Sequence, residues 1–386
     1  MSSTNDKYQL YVVDQSYYSG KLHSYLRYRQ LPLEVNEISF TEWWKTGLRN
    51  TGLMKVPFLQ SPDGRWLQDS TPIILWLDQQ FPDSGILPDD PYLRFFCYLL
   101  EDYADEWLWR PAMHYRWSYS ADAAVNSIRF SQKLITHIPG PKWLTALMAK
   151  WRQRSEYVKH DGVNKSTLEH VESIYLNNLQ WMETILAKQP YLLGDKPCLV
   201  DFGFMGPMFR HFSIDPTPAK IMRDKAPHVY QWVARMWALK MDDVADANWN
   251  VQPGQLPQDW LPFVKDICEA YLPYLLENAR TCRDGKSSCS YTVQGTSYSK
   301  TRTYDYRVWC REQLHKRFNE LTPEIADRVK ATLKHYGGWD AFITDVDISS
   351  GMDADDMAPF RKSYQPSFGK KLVSYFFGTP WNTSKQ

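Results

Sequence analysis

Two short segments contain residues whose types and spacing suit the binding of a small anionic ligand. They are Lys55-Val56-Pro57-Phe58-Leu59 and Leu67-Gln68-Asp69-Ser70-Thr71-Pro72. The second places short polar oxygens and backbone N–H groups directly before the apolar helix pattern of residues 73–77. Because the first N–H groups of a helix have no partner within the helix, they form a ready site for a carboxylate. These residues therefore predict a ligand held mainly by backbone groups rather than by a cluster of charged side chains.

The elements that position these segments form a small α/β unit. Residues 8–13 and 33–38 have the composition of strands, and residues 19–29 have helical spacing, so the two strands are predicted to be parallel. The turn at residues 61–64, Ser-Pro-Asp-Gly, joins two further strands into an antiparallel hairpin, and a helix runs from residue 71 to about 80. The order is therefore β-α-β followed by β-β-α.

The rest of the chain is predicted to be mainly helical. A linker rich in Pro, Gly and Asp comes first, and helical patterns then continue to about residue 245. After about residue 250 further helices surround a hairpin at Gln294-Gly295, and the aromatic residues of the tail, Tyr375-Phe376-Phe377 and Trp381, suggest that part of it docks on the body. We predict domains at residues 1–83, 90–245 and 250–386.

With both segments and this order of elements in place, the chain resembles the cytosolic glutathione transferase (GST) superfamily. The segment from Leu192 to Phe202, which contains Gly194-Asp195 and Asp201, resembles the family's helix-start motif. About one extra helical hairpin is expected between Trp117 and Lys165, as in enlarged bacterial members. The resemblance implies an α/β thioredoxin-like N-terminal domain, an all-α GST C-terminal domain, and a mainly helical C-terminal extension with a small hairpin.

By this resemblance, five residues bind glutathione. Pro57 is cis and the backbone of Val56 pairs with the cysteinyl part like an added strand; the alternative is a trans proline that ends the strand. Asp69 pairs with the amino group and Ser70 with the α-carboxylate of the γ-glutamyl end, although Ser70 also suits a plain helix cap. Lys55 reaches the glycyl carboxylate or is simply a surface lysine.

The resemblance places the catalytic hydroxyl just after the first strand. Ser16 falls at the position whose hydrogen bond stabilises the glutathione thiolate, and Tyr17 and Tyr18 are its rivals. Ser16 also suits a cap of the following helix. The absence of cysteine at residues 14–19 argues against thiol-transferase chemistry.

The second substrate is expected to be an apolar or aromatic electrophile. The pocket residues implied are Trp107, Trp109, Arg110, Met113 and Tyr115, together with Trp117. Core packing is the alternative role for each of them. Cys198 stands where the family usually has Ser or Thr, so Asp201 is expected to accept the backbone N–H groups there, in a folding role.

Composition narrows the remaining choices. Lys and Arg number 45 against 44 Asp and Glu, so no nucleic-acid partner is expected. We see no signal peptide and no bilayer-spanning run, and therefore expect no membrane partner. The six cysteines have no metal spacing, which favours no metal and a reduced, cytoplasmic protein.

These observations predict a dimeric glutathione-dependent transferase, with glutathione as co-substrate. Lyase, dehalogenase or isomerase chemistry on the same scaffold is an alternative reaction. A non-catalytic binding or scaffold protein is the alternative from another class. The homodimer is implied by the family; the alternative is a monomer, if the insertion and the extension block the usual interface.

Overall fold

The computed structural model describes residues 6–133 and 140–352, and begins with one mixed sheet. Its strands are β1 (Tyr8–Val12), β2 (Leu33–Glu37), β3 (Phe58–Gln60) and β4 (Trp66–Gln68). They pair in the order β2-β1-β3-β4, with β1 parallel to β2 and antiparallel to β3. Helix α1 (Tyr17–Tyr28) crosses between the parallel pair, and α4 (Ser70–Asp78) follows β4. The predicted thioredoxin-like unit is confirmed.

One helical segment of this unit is absent from the sequence-based prediction. Residues 40–51 form α2 (Phe40–Glu42), a π-helical turn (Trp43–Leu48) and α3 (Arg49–Thr51). A capping box starts it, because Ser39 N donates to Glu42 Oε2 at 2.7 Å and Glu42 N donates to Ser39 Oγ at 3.4 Å. The two adjacent tryptophans and Gly47 gave no clear helical period.

The middle of the chain is all-helical, as predicted. Its helices are α5 (Pro91–Glu106), α6 (Trp109–Ser118), α7 (Ser120–Lys133), α8 (Lys142–Arg154), α9 (Leu168–Leu186), α10 (Leu199–Pro207), α11 (Pro216–Lys225) and α12 (Pro227–Ala238). Helices α7 and α8 are the predicted extra hairpin. The sequence pattern predicts the first of the two helices over residues 121–137, of which residues 134–137 lie outside the described residues. Helix α11 was not predicted, because its first three residues are a proline, a threonine and a second proline.

Asp201 has the folding role expected of it. Its carboxylate accepts from Cys198 N at 2.9 Å, from Leu192 N at 3.0 Å and from Trp232 Nε1 at 3.0 Å. Helix α10 then lies very close to α5, because a Cβ added at Gly203 would come within 3.1 Å of the Glu101 Cα atom. This approach fixes the position of the acidic part of α5.

The region beyond residue 250 packs onto the helical unit. It contains α13 (Leu261–Asp266), α14 (Leu272–Arg283), β5 (Ser288–Val293), β6 (Thr296–Arg302), α15 (Asp305–Asn319), α16 (Pro323–His335) and α17 (Trp339–Ile343). The predicted hairpin is confirmed, with positive φ at Gln294 and Gly295 as a type I′ turn requires. Helices α15 and α16 both pack on α5. The tail aromatics Tyr375-Phe376-Phe377 and Trp381 lie outside the described residues.

Candidate functional site

The two segments singled out in the sequence meet where β3 begins and β4 ends. The Val56–Pro57 peptide bond is cis, as the resemblance implies, and Pro57 is buried. The side-chain amide of Gln68, the last residue of β4, donates to the carbonyl of Pro57 at 3.1 Å. Since β3 and β4 are paired, this bond keeps the proline beside the start of α4.

Asp69 joins β4 to α4 with an unusual backbone. Its φ of 83° and ψ of 124° are rare for a residue other than glycine, and such strain occurs mostly at functional sites. Its carboxylate makes no capping bond to α4. Ser70, the first residue of that helix, is buried. The start of α4 is thus set by the strand geometry, which leaves the carboxylate of Asp69 for other partners.

The partner of Asp69 comes from the region beyond residue 250. Tyr306, on α15, donates its hydroxyl to Asp69 Oδ2 at 2.8 Å. Burial raises the pKa of the Asp69 carboxyl to about 6, against the hydrogen bond from Tyr306 and the charge of Lys21, which lower it. The C-terminal extension therefore reaches the site itself.

A buried lysine lies at the first turn of α4. Lys21 Nζ pairs with Glu101 Oε1 and Asp105 Oδ2, and donates to Thr71 Oγ1 at 2.6 Å. Burial lowers the pKa of Lys21, but the two carboxylates outweigh that effect and raise it above its ordinary value. Thr71 Oγ1 also donates to Glu101 Oε1 at 2.7 Å. Through Lys21 and Thr71, α1, α4 and α5 are joined by one ionic cluster.

Four carboxylates of α5 line a cavity of about 280 Å³ between α4, α5 and α15. They are Glu101, Asp102, Asp105 and Glu106. Burial raises the pKa of Asp102 to about 7, although Tyr271 donates to its Oδ2 at 2.7 Å. The cavity wall is therefore rich in acidic groups with few cations between them.

Arg307, next to Tyr306 on α15, pairs with one of these four carboxylates. Its Nε donates to Glu106 Oε2 at 2.9 Å and its Nη2 to the Glu106 carbonyl at 3.2 Å. Its Nη1 donates to the Tyr274 hydroxyl. The extension is thus tied to the site at two neighbouring residues.

The three residues predicted to activate a thiol have different surroundings. Ser16 is the N-cap of α1, where its Oγ accepts from Ser19 N at 3.3 Å. Tyr17 is buried and donates to the Ala104 carbonyl, and Tyr18 donates to Glu106 Oε1 at 3.0 Å. Burial raises the pKa of both phenols well above the ordinary value. A hydroxyl that accepts a capping bond keeps its own proton for donation, so Ser16 retains that capacity.

Lys55 directly precedes Val56 and Pro57, the residues predicted to bind glutathione. Its side chain is exposed, and its carbonyl accepts from Trp43 Nε1 at 3.2 Å. Trp43 belongs to the π-helical turn that the sequence reasoning missed. This turn therefore borders the segment that carries Val56 and Pro57.

The predicted pocket residues separate into two groups. Trp109 is half-buried and stacks on Tyr18, with ring centroids 5.9 Å apart. The others are buried in the interior: Trp107, Arg110, Met113, Tyr115 and Trp117. Arg110 donates from Nε to the Asp161 carbonyl at 2.9 Å and lies 4.7 Å from the Tyr298 ring. Of this set, Trp109 contacts Tyr17 and Tyr18, two of the predicted hydroxyl donors; a pocket role for every member of the set stays a prediction.

Sequence reasoning missed several residues of the cluster. Lys21 is four residues from both Tyr17 and Tyr25, which are buried, so its place on the inward face of α1 was the available signal. Tyr306 and Arg307 gave no such signal, because they reach the site only through tertiary packing.

Two further properties concern metals and membranes. Among residues 6–133 and 140–352, no group of three or more His, Cys, Asp or Glu side chains could hold a metal ion. In the same residues, no helix is long and apolar enough to cross a bilayer. All six cysteines are free thiols, so Cys282 and Cys289 are not joined.

Comparison with known proteins yields two family matches. Residues 10–85 match the model of the glutathione S-transferase N-terminal domain, and residues 145–240 match that of the C-terminal domain. No curated protein matches the chain.

Several solved structures are similar at low identity. The β-etherase LigF from Sphingobium sp. strain SYK-6 is 20% identical, with 62% of this chain and 98% of that chain covered, at a TM-score of 0.43. A glutathione S-transferase from Methylobacterium radiotolerans, in complex with glutathione sulfonate, is 21% identical, with 65% of this chain and 100% of that chain covered, at a TM-score of 0.38. A Tau class glutathione S-transferase from mango, Mangifera indica, is 17% identical, with 63% of this chain and 97% of that chain covered, at a TM-score of 0.39.

Proposed function

Because the chain is a member of the glutathione S-transferase superfamily, with both domains in order, we propose that it binds glutathione beside α4 and activates its thiol. The observation that carries the proposal is the junction of the cis Val56–Pro57 bond, Asp69 and the buried start of α4. The activated thiolate attacks an apolar or aromatic electrophile. The protein acts in the cytoplasm, and detoxification is the role that this chemistry suits.

Each end of glutathione has a partner in this arrangement. The backbone of Val56 pairs with the cysteinyl residue, and the N–H groups and hydroxyl at Ser70 hold the α-carboxylate, where the helix dipole favours negative charge. The α-ammonium group faces Asp69 and the acidic wall of α5. Lys55, exposed at the mouth, pairs with the glycyl carboxylate.

Ser16 is the proposed donor to the thiolate. The phenol protons of Tyr17 and Tyr18 are already given to the Ala104 carbonyl and to Glu106. Ser16 accepts at the cap and can donate at the same time, so its two roles are compatible. Trp109, stacked on Tyr18, forms the nearest apolar wall for the acceptor.

Ser16→Ala tests this assignment. We expect kcat/KM for conjugation to fall about 100-fold, as for loss of one donor to a developing anion, while millimolar glutathione still raises the melting temperature. Ser16→Thr should restore most of the rate, because it returns a hydroxyl. Ser39→Ala, which removes another N-cap serine, is the matched control. If Ser16→Ala conjugates as fast as the parent, the donor is another group. If the parent is neither retained on immobilised glutathione nor stabilised by it, the proposed function is wrong.

A non-catalytic glutathione-binding protein is the second candidate, favoured by one contact. Tyr306 already donates to Asp69 Oδ2, so the extension occupies part of the predicted ammonium site. Binding of glutathione without turnover across a panel of electrophiles would support this candidate.

Tyr306→Phe separates a supporting role from a blocking one. We expect the variant to bind glutathione about 3- to 10-fold more weakly, because Asp69 loses a bond that stabilises its charged form. The acidic limb of the pH profile of kcat/KM should move to higher pH. Tyr336→Phe, also in the extension, should change neither quantity. Tighter binding by Tyr306→Phe would mean that the tyrosine competes with the ligand.

The homodimer implied by the family is part of the proposal, with one restriction. Helices α15 and α16 cover a face of α5 within the same chain. A dimer must therefore use a surface other than this face of α5. Light scattering can measure whether the protein is a dimer, and cross-linking can locate the surface.

A further inference from the structure

Helix α8 of the inserted hairpin presents its large apolar side chains to solvent. The side chains facing inward are small or polar: Thr145, Ala146, Ala149 and Gln153. On the opposite face lie Trp143, Leu144, Leu147, Met148 and Trp151, all exposed. A surface helix ordinarily turns such an apolar stripe toward the core. The orientation of α8 therefore leaves an apolar face without a partner in the described part of the chain.

The exposure on α8 is large, and α7 also carries exposed apolar side chains. Trp151 and Trp143 are 72% and 69% exposed, more than any other large apolar side chain described. Val125 and Ile128, three residues apart on α7, add to the same hairpin. Contiguous apolar patches of this kind mark interaction sites rather than chance exposure.

The charges around this face are positive. Helix α8 carries four basic residues, Lys142, Lys150, Arg152 and Arg154, and no acidic one. Lys150 and Arg152 fall at the two edges of the apolar stripe at 100° per residue. From 120 to 154 the sequence has one acidic residue, Asp122, which is buried. Tryptophans and leucines on one side with basic residues at the edges are typical of helices that lie in a membrane interface.

The positive charge around the exposed face of α8 distinguishes between the partners that could cover it. A second copy of the chain docked by this face would bring two basic surfaces together. The segment after residue 352 has five basic and three acidic residues, so it too is positive. An anionic lipid surface complements the patch in both respects, because it offers negative headgroups above apolar chains.

We propose that the α7–α8 hairpin attaches the protein to the surface of an anionic lipid membrane. The apolar stripe of α8 enters the boundary between headgroups and acyl chains, with Trp143 and Trp151 near its two ends. Lys150 and Arg152 extend to the headgroups along the edges. The sequence predicted no membrane partner because no segment spans a bilayer; attachment in the plane of the surface needs none.

The hairpin is firmly joined to the body, so attachment would fix the protein's orientation. Arg129 pairs with Asp14, and Gln15 Nε2 donates to the Asn126 carbonyl at 3.2 Å. Phe130 and Ala149 pack in one cluster with Trp43. These contacts place the inward side of the hairpin beside the loop that precedes α1 and leave the attachment face directed to solvent.

Sedimentation with vesicles tests the proposal on the full chain. We expect it to pellet with vesicles of phosphatidylcholine mixed with phosphatidylglycerol, much less with phosphatidylcholine alone, and less as salt increases. The double variant Trp143→Ala, Trp151→Ala should lower the vesicle affinity at least about tenfold, and Lys150→Glu about fivefold or more. Tyr230→Ala, which removes an exposed aromatic ring from α12, should leave it unchanged.

Three results would overturn the proposal. The first is failure of the parent to pellet with phosphatidylglycerol vesicles at low salt. The second is pelleting that the tryptophan substitutions do not reduce. The third is a concentration-dependent dimer in light scattering that the same substitutions dissolve, which would assign the face to a second copy. Because the substituted aromatic side chains are exposed and Lys150 is only half-buried, unchanged melting curves can verify folding in every variant.

Discussion

Replacement of Lys21 by methionine should lower the free energy of unfolding by about 3–5 kcal/mol. The ammonium group is fully buried and is the shared partner of Glu101 and Asp105. Without it, two carboxylates remain in the interior with Thr71 as the neighbouring donor, and one or both must take up a proton or open the packing. The loss is large because an unpaired buried charge costs more than the intact pair contributes.

Urea denaturation at pH 7 can measure this loss. Lys220→Met is the matched control, because Lys220 is exposed and pairs with Asp224 on the surface of α11. Exposed pairs contribute about 0–1 kcal/mol, so the control should stay near the parent. A loss below about 1 kcal/mol for Lys21→Met would mean that the two carboxyls are already neutral in the folded protein. Since the cluster joins α1, α4 and α5, glutathione binding should weaken in the same variant.

Replacement of Asp69 by asparagine should weaken glutathione binding about 10- to 100-fold. The substitution keeps the size and the acceptor oxygen for Tyr306 but removes the charge proposed to face the α-ammonium group. Hydrogen bonds to charged groups contribute about 1.5–3 kcal/mol, which corresponds to this range. Calorimetric titration with glutathione measures it directly. Asp69→Glu, which keeps the carboxylate on a side chain one carbon longer, should retain more affinity than asparagine.

The affinity for glutathione should also depend on pH, because the charge of Asp69 does. Asp69 has a pKa of about 6 in the protein without ligand, raised by burial. Above this value the carboxylate is charged and binds the ammonium group; as the pH falls through 6, it is protonated and affinity declines about tenfold per unit. Asp69→Asn should lose this acidic limb.

Asp63→Asn is the control for both measurements. It removes an exposed carboxylate from the turn before β4 and should leave affinity and its pH dependence unchanged. An acidic limb that persists in Asp69→Asn would assign the titration to another group, for which Asp102, with its pKa raised by burial to about 7, is the first alternative.

The sequence predicted the elements whose signals are local. The start of α4 follows from short polar residues placed before an apolar run, whereas the cis proline and the role of Asp201 were implied by the family resemblance. The inserted hairpin and the turn at Gln294-Gly295 follow from helical period and turn chemistry. These features depend on neighbours in the chain, so they can be read without the fold.

The features that the sequence did not predict depend on tertiary packing. Lys21 looked like one polar residue in a helix until α5 placed Glu101 and Asp105 around it. Tyr306 reaches Asp69 only because α15 packs against α5. Trp107 and Arg110, which were expected to line the acceptor pocket, are buried, and Arg110 packs against Tyr298 of the extension. Helical periodicity identifies which face of a helix points inward, but it does not identify the residues that pack against that face.

The hydrogen bond from Tyr306 to Asp69 joins positions 237 residues apart. A segment that lies outside the two matched domains would ordinarily be expected to evolve as a separable module, free to be lost or exchanged. Here its removal would change the first turn of α4, in the N-terminal domain. Recombination with a relative that lacks the segment would therefore yield a chimera with an altered ligand site, and the two regions are expected to be inherited as one unit.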